Sequence, residues 1–196
     1  LSSFAPSSAQ TSTTNGLSFS TTESYFMDVV FSPDGLYIYG VTGDEQAEVL
    51  DRENQVLKID AVTFAVVDMY QLEDGFDAFD LKITADGKTL YTAGLNSGDI
   101  AKIKTAKMTL VSAISTQTGY LVDGAISPDE NYAYYSAGAG NVVKVSLAGD
   151  MSIVSEIQVS DLNRSIYATA VSLDGTTGYF VDYQFANPST PRIMKV

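Results

Sequence analysis

The sequence has no cysteine, no histidine and no tryptophan among its 196 residues. Without cysteine, a disulfide framework, a thiolate zinc site and a cysteine nucleophile are excluded. Without histidine, a Ser-His-Asp triad and a haem or copper centre with imidazole ligands are excluded too. Any acid–base catalysis would therefore have to come from carboxylates or tyrosines.

Positive charge is scarce. The chain has 11 Lys and Arg against 24 Asp and Glu, which gives a net charge of −13. Such a field repels nucleic acid and anionic lipid and favours cations or basic partners, although an acidic surface also simply keeps a protein soluble. The charge therefore predicts no nucleic-acid binding. No run approaches the roughly 18–20 apolar residues of a membrane helix, so we expect no membrane insertion either.

The chain begins at Leu1 without a basic-then-apolar leader, and we expect a processed or truncated piece.

One short turn recurs along the chain at nearly constant intervals. The aspartates of successive turns are 52, 43 and 45 residues apart, and strand-like segments rich in Val, Ile, Tyr and Phe flank each of them. A period in the forties that carries only strand-like sequence is typical of an all-β fold, the β-propeller of four-stranded antiparallel blades. The four turns are Ser32-Pro33-Asp34-Gly35, Thr84-Ala85-Asp86-Gly87, Ser127-Pro128-Asp129-Glu130 and Ser172-Leu173-Asp174-Gly175.

The repeat predicts about four blades, at residues 25–77, 78–121, 122–166 and 167–196. Residues 1–24, of which 13 are Ser or Thr, are predicted to form a lead-in or a closing strand. The fourth blade stops on its third strand, which leaves two arrangements open. Either the amino-terminal segment supplies the missing strand and closes a four-bladed ring, or the chain is part of a larger, seven-bladed propeller. We favour the second, because four-bladed rings are at the lower limit of the class.

The Ser-Pro-Asp-Gly turn, the Leu-Tyr-Ile-Tyr strand after it and a later Val-x-Lys-Ile strand resemble the YVTN repeats of surface-layer and quinoprotein-amine-dehydrogenase-like propellers. The resemblance runs from about Phe26 to Val196. It implies a propeller, in a group that includes structural surface-layer proteins, lactonases and dehydrogenase subunits. The missing tryptophan departs from WD repeats, and the adjacent Asp and Gly depart from the Ser-x-Asp-x-Gly box of sialidases. The structural or recognition branch fits best.

Three aspartates form the sharpest candidate site. Asp28, Asp80 and Asp123 each stand six residues before a turn aspartate, and Ala168 has this place in the fourth repeat. Because the first strand of a blade is innermost, the three carboxylates are predicted to converge at one mouth of the channel. There they would suit Ca²⁺ or a basic group of a peptide. In the structural alternative, which we favour, each aspartate pairs with a lysine or with backbone N–H groups of the neighbouring blade.

Two further features are candidates for binding or modification. The insert 43–54 is acidic and is a second possible metal site, although it lacks the spacing of an EF-hand loop and also fits a solvated loop. Asn163-Arg164-Ser165 is a formal glycosylation acceptor, and the Ser/Thr-rich start suits O-glycans. The candidate metal ligands in the insert are Asp44, Glu45, Glu48 and Asp51.

Lysines and tyrosines recur with the repeat as well. We expect the lysines of the third strands to pack their stems on a sheet face and to keep the ammonium in water. The tyrosines of the second strands are expected to pack between blades rather than to form a sugar platform. The lysines are Lys58, Lys102, Lys144 and Lys195.

Two functions are consistent with these features. The first is a non-catalytic extracellular or cell-surface propeller, without a cofactor, that serves as a structural or protein-recognition module. Its protein partners, or further copies of itself, would dock on the insert-bearing face or along the unfilled edge of the fourth blade. The second is a lactonase-like hydrolase or lyase, in which Ca²⁺ or another metal held by Asp28, Asp80 and Asp123 activates water.

Overall fold

The computed structural model describes residues 11–13, 16–18, 25–43, 54–160, 165–183 and 192–196, and most of these residues lie in β-strands. Strands β1 (Thr11–Thr13) and β2 (Gly16–Ser18) pair with each other. The other strands follow as β3 (Tyr25–Phe31), β4 (Tyr37–Gly43), β5 (Gln55–Asp60), β6 (Val66–Gln71), β7 (Ala78–Ile83), β8 (Thr89–Gly94), β9 (Asp99–Lys104), β10 (Thr109–Ser115), β11 (Leu121–Ile126), β12 (Tyr132–Ala137), β13 (Asn141–Ser146), β14 (Ser152–Gln158), β15 (Ser165–Val171), β16 (Gly178–Tyr183) and β17 (Arg192–Lys195).

Strands β3 to β17 form four antiparallel sheets in chain order. Three sheets have four strands, β3–β6, β7–β10 and β11–β14, and the described part of the fourth has three, β15–β17. The first strands of successive sheets contact each other, β3 with β7, β7 with β11 and β11 with β15. This arrangement confirms the predicted all-β propeller with four blades, which we call blades 1 to 4. Within the described residues, no helix has the length and apolar character that crossing a membrane requires.

The recurring turn closes the hairpin between the first and second strands of each blade. In blade 1 the Asp34 carboxylate accepts hydrogen bonds from the Ser32 hydroxyl at 2.6 Å and from the Leu36 amide at 3.0 Å. These bonds hold the pKa of Asp34 below its usual value. Gly35 completes the turn at φ 72°, a conformation that glycine adopts without strain. The turn chemistry is local, which explains why the sequence predicts it well.

The core lies between the blades rather than within one of them. At the first junction Tyr39 and Val56 of blade 1 pack with Leu81 and Ile103 of blade 2 in one buried cluster. Tyr91 and Tyr135 belong to the corresponding cluster of blades 2 and 3. Each blade therefore has a forward face, which meets the next blade, and a back face, which meets the one before.

The described strands of the four blades form an open arc. Among the described strands, β15 makes no contact with β3 comparable to the contacts that join successive first strands. The forward face of blade 4 and the back face of blade 1 are therefore not covered by each other.

Candidate functional site

A β-bulge aims the predicted aspartates at the neighbouring blade. In blades 1 to 3 the pairing of the first with the second strand shifts register just before Asp28, Asp80 and Asp123, and in blade 4 just before Ala168. A bulge places two residues opposite one and redirects the side chain that follows. The repeat therefore carries the same local distortion in all four blades.

The three aspartates converge around one lysine, Lys82 of blade 2. The Lys82 ammonium lies 3.2 Å from Asp123 Oδ1 and 3.6 Å from Asp28 Oδ2, and it also pairs with Asp80. The Lys82 side chain is 26% exposed, whereas that of Asp80 is only 4% exposed. One ammonium thus holds carboxylates from three successive blades.

Two of the aspartates also accept backbone hydrogen bonds across a blade junction. Asp28 Oδ2 accepts from the Leu81 amide at 3.0 Å, and Asp123 Oδ2 accepts from the Thr169 amide at 2.6 Å. These amides belong to the first strands of blades 2 and 4, at equivalent positions of the repeat. Contacts with a lysine and with backbone N–H groups are those of the structural alternative. Binding of an external ligand by these aspartates stays a prediction.

Asp80 has the most perturbed carboxyl group of the cluster. Burial raises its pKa to about 7; Lys82 opposes this effect and Asp123 and Asp28 add to it. Its Oδ2 atom is buried and has no hydrogen-bond partner in the described part of the chain. Burial alone would lower the pKa of Lys82, but the neighbouring carboxylates, Asp80 first, raise it. The lysine therefore stays charged while Asp80 titrates near neutrality.

Tyr135 of blade 3 lies beside this cluster. Its ring packs on Gly124, where a Cβ atom would lie 2.5 Å from the ring and 3.1 Å from Asp80 Oδ2. The buried Tyr135 hydroxyl has no hydrogen-bond partner among the described residues. Burial, and then the charge of Asp80, raises the pKa of Tyr135 well above its usual value. Glycine at position 124 thus allows the close approach of the tyrosine to the cluster.

The ammonium of Lys82 occupies the place that a cation between the three carboxylates would take. In the described residues no group of three or more Asp, Glu, Cys or His side chains is arranged to hold a metal ion. Sequence reasoning missed Lys82. The repeat could have revealed it, because Lys82 is charged where the same position of the other blades carries the apolar residues Val30, Ala125 and Ala170. The second metal candidate, with Asp44, Glu45, Glu48 and Asp51, lies outside the described residues, as does Asn163.

Two of the third-strand lysines, Lys58 and Lys102, join their blade to the next. Lys58 lies 4.2 Å from the ring centre of Tyr37 and donates to the carbonyl of Thr105 in blade 2 at 3.2 Å. Lys102 lies 5.9 Å from the ring centre of Tyr91 and donates to the carbonyl of Leu147 in blade 3 at 2.8 Å. The expectation that these ammonium groups stay in water is therefore wrong for Lys58 and Lys102, because each lies over a tyrosine ring and binds a backbone carbonyl of the next blade.

The two ends of the arc expose apolar side chains whose counterparts are buried at the first junction. On the forward face of blade 4, Tyr179 is 39% and Ile193 is 76% exposed, whereas their counterparts in blade 1, Tyr39 and Val56, are 2% and 0% exposed. On the back face of blade 1, Val29 is 52% exposed, whereas its counterpart in blade 2, Leu81, is fully buried. We call these two surfaces the forward end face and the back end face.

A cleft of about 280 Å³ adjoins the last strand, between blades 3 and 4. Its lining includes Lys144 and Val154 of blade 3 and Phe180 and Val196 of blade 4. Among the described strands, β17 pairs only with β16. The other edge of β17 therefore offers backbone groups to a further strand.

Comparison with solved structures shows the same fold. Hydrazine synthase of Kuenenia stuttgartiensis matches with a TM-score of 0.73 and 18% identity over 94% of this chain and 49% of that chain. A putative 6-phosphogluconolactonase of Bacteroides fragilis matches with a TM-score of 0.64 and 16% identity over 89% and 53%. The β-propeller domain of Cps50 (Swd1) of Myceliophteria thermophila matches with a TM-score of 0.65 and 10% identity over 82% and 51%.

These similarities show a β-propeller-like fold and nothing finer, because the identities are low. The chain spans about half the length of each of these three proteins. No family model and no curated protein matches the sequence.

Proposed function

We propose that this chain is a non-catalytic propeller module of the surface-layer, YVTN-like type that acts outside the cell and binds protein through the ends of its arc. The observation that carries the proposal is the open arc itself. Its end faces expose Tyr179, Ile193 and Val29. Their counterparts at the first junction, Tyr39, Val56 and Leu81, are buried. Apolar surface of this kind, rimmed by polar residues, is typical of protein-binding sites.

The edge of β17 supports the same function. An exposed strand edge pairs readily with a strand of another chain, because its N–H and C=O groups point outward in register. The cleft beside β17 has apolar walls at Val154 and Phe180, which would receive a side chain of such a strand. Lys144 lines the same cleft, and its ammonium would bind a carbonyl or carboxylate of that strand.

Location outside the cell is supported by the Ser/Thr-rich first 24 residues and by the acidic balance of the chain. The similarity to the β-propeller domain of Cps50 (Swd1) shows only the fold, which is one that a protein-recognition module can have.

The lactonase-like alternative has less support from the geometry. A catalytic metal would need open coordination positions between Asp28, Asp80 and Asp123. In the structure Lys82 lies between them, and Asp28 and Asp123 each accept a further backbone hydrogen bond.

Affinity capture from the native source tests the proposed function. Wild-type bait is compared with Ile193→Glu, which places a charge on the forward end face, and with Val111→Glu on the outer strand of blade 2. Val111 is also exposed, at 36%, but lies in an inner blade, so it is the matched control. We expect a protein partner that wild type and Val111→Glu retain and Ile193→Glu loses. Absence of any such partner, self-association included, would contradict the proposal. Lactone hydrolysis abolished by Asp80→Asn would favour the alternative.

A further inference from the structure

The two end faces are the two halves of one recurring junction. At each inner junction the forward face of one blade packs on the back face of the next. Each of these forward faces carries a second-strand tyrosine with a third-strand lysine above it. The forward end face carries the same elements, Tyr179 and Lys195, and the back end face carries Val29 and Phe31, both more than half exposed. From this match we infer that the forward end face docks on the back end face of a second copy of this chain, so that two copies close one eight-bladed ring. The inference rests on the proposed function, since it names the partner of the same surface.

The lysine bridges give the docking a specific register. The carbonyls that Lys58 and Lys102 reach in the next blade, those of Thr105 and Leu147, each stand three residues after that blade's own third-strand lysine. The equivalent carbonyl in blade 1 belongs to Ala61. Its position matches, because the amides of Ala61, Thr105 and Leu147 all bond to the residue that follows the recurring turn, namely Leu36, Lys88 and Asn131. Lys195 of one copy would therefore donate to Ala61 of the other.

At two inner junctions a first-strand amide donates a hydrogen bond to an aspartate of the preceding blade. At the junction between two copies this bond is absent, and neither end face requires it. Blade 4 has Ala168 where the inner forward faces carry an aspartate. Blade 1 has no need of that aspartate, because the Val29 amide donates to its own Asp28 at 2.8 Å. At the first and third inner junctions the equivalent amides, of Leu81 and Thr169, bond to an aspartate of the preceding blade instead. At this position, therefore, neither the missing aspartate of blade 4 nor the Val29 amide of blade 1 leaves a partner unmatched.

Charge and closure agree with this arrangement. Lys195 on the forward end face would lie next to the acidic-residue-bearing turn that begins at Asp60 of the other copy, much as the charge of Asp150, in the corresponding turn of blade 3, acts on Lys102. A head-to-tail interface closes into a ring when its rotation brings the ends together. Eight blades are within the usual range of about 4–8 for propellers. The net charge of −13 on each copy opposes association, so salt should strengthen it.

The oligomeric state of the purified chain tests the inference. Analytical ultracentrifugation should give twice the chain mass of 21.0 kDa, with more dimer at moderate than at low salt. Ile193→Glu and Val29→Glu should each weaken the dimer by about tenfold or more, while Val111→Glu leaves it unchanged. All three residues are exposed in the single chain, so the variants should fold, and circular dichroism checks this. A wild-type monomer at every concentration, or filaments longer than a dimer, would overturn the inference.

Cysteine cross-linking tests the register independently, because the chain has no cysteine of its own. The lysine reaches its carbonyl through a long side chain, so a bismaleimide of about that length is used instead of direct oxidation. It should join the two copies of the double variant Ala61→Cys with Lys195→Cys, and it should not join those of Val111→Cys with Lys195→Cys. Failure of the first pair to cross-link would overturn the register. If the wild type is monomeric but captures another protein through Ile193, the second-copy inference is wrong while the proposed function stands. If it dimerises and captures nothing else, self-association alone accounts for the surface.

Discussion

The backbone amide of Ala85 donates a hydrogen bond to the carboxylate of Glu130, which joins the recurring turn of blade 2 to that of blade 3. The other turns meet through proline and glycine. A Cβ on Gly87 would lie 3.0 Å from Cδ of Pro33, and one on Gly175 would lie 3.6 Å from Cδ of Pro128. Two of the departures from Ser-Pro-Asp-Gly, Ala85 and Glu130, thus match each other, because alanine supplies the N–H that proline lacks and glutamate supplies its acceptor.

A double-mutant cycle at this pair should show coupling. Ala85→Pro removes the donor, while Glu130→Gly removes the acceptor but relieves the φ of 56° at Glu130. Both single variants lose the same hydrogen bond, and the double variant loses it only once. The free energy of unfolding of the double variant should therefore be about 0.5–1 kcal/mol higher than the sum of the two single changes predicts. Urea unfolding measures the free energies. Glu130→Gly combined with Leu173→Pro, in a turn without this bond, is the control pair and should be additive. Strict additivity at Ala85 and Glu130 would contradict the prediction.

Asp28 should stabilise the first junction through its acceptor oxygen. Asp28→Ala leaves the amide of the fully buried Leu81 without its partner, which costs about 1–3 kcal/mol. Asp28→Asn keeps a side-chain oxygen in that place and should lose less. Hydrogen exchange of the Leu81 amide should accelerate in the alanine variant and change little in the asparagine variant. Equal effects of both substitutions would show that charge, not the hydrogen bond, matters here. Asp150→Ala, in an exposed turn, is the control for stability.

The repeated features of the fold are the part that the sequence predicts well. The turn aspartates fix the blades, because turn chemistry depends on a few neighbouring residues. The convergence of Asp28, Asp80 and Asp123 is also predictable, since equivalent positions of a radial repeat face the same axis. The structure confirms the propeller and brings the three carboxylates together.

The features that break the repeat are the part that sequence reasoning misses. Lys82 occurs in one blade only, and so its pairing with carboxylates of other blades depends on the assembled arc. Ala85 and Glu130 look like two unrelated departures until their turns are adjacent in space. The openness of the arc depends on how the blades rotate relative to one another, which no local pattern encodes.

Lys82 should be the resident cation of the cluster. Lys82→Met leaves three converging carboxylates without their ammonium, which should destabilise the protein by about 3 kcal/mol. Oxygen ligands from three blades would then suit Ca²⁺, so millimolar Ca²⁺ should raise the Tm of this variant by several degrees. Thermal unfolding with Ca²⁺ or EDTA measures the effect. Wild type and Lys82→Arg, which both keep a cation in place, should not respond. A calcium-dependent rise in the Tm of wild type equal to that of Lys82→Met would contradict the assignment.

Burial of Asp80 should make the folded protein more stable in mild acid than in mild base. Its pKa is raised from 3.8 to about 7 in the folded state, so between these values the folded state binds a proton that the unfolded state has released. The contribution of Asp80 to stability is therefore complete below about pH 4 and is lost as the pH rises through about 7. The turn aspartates act in the opposite direction and at lower pH, because hydrogen bonds lower the pKa of Asp86 and Asp174 to about 2.

Asp80→Asn isolates this contribution, because asparagine has nearly the same shape and does not titrate. In wild type the free energy of unfolding should be greater at pH 5 than at pH 8, and about 2 kcal/mol of that difference should disappear in the variant. Urea unfolding at both pH values measures it. Asp150→Asn removes an exposed carboxylate far from Lys82 and should keep the wild-type difference. The prediction depends on the buried Oδ2 atom of Asp80, which has no donor among the described residues to hold the charged form. If Asp80→Asn retains the full difference between pH 5 and pH 8, another group is responsible for it.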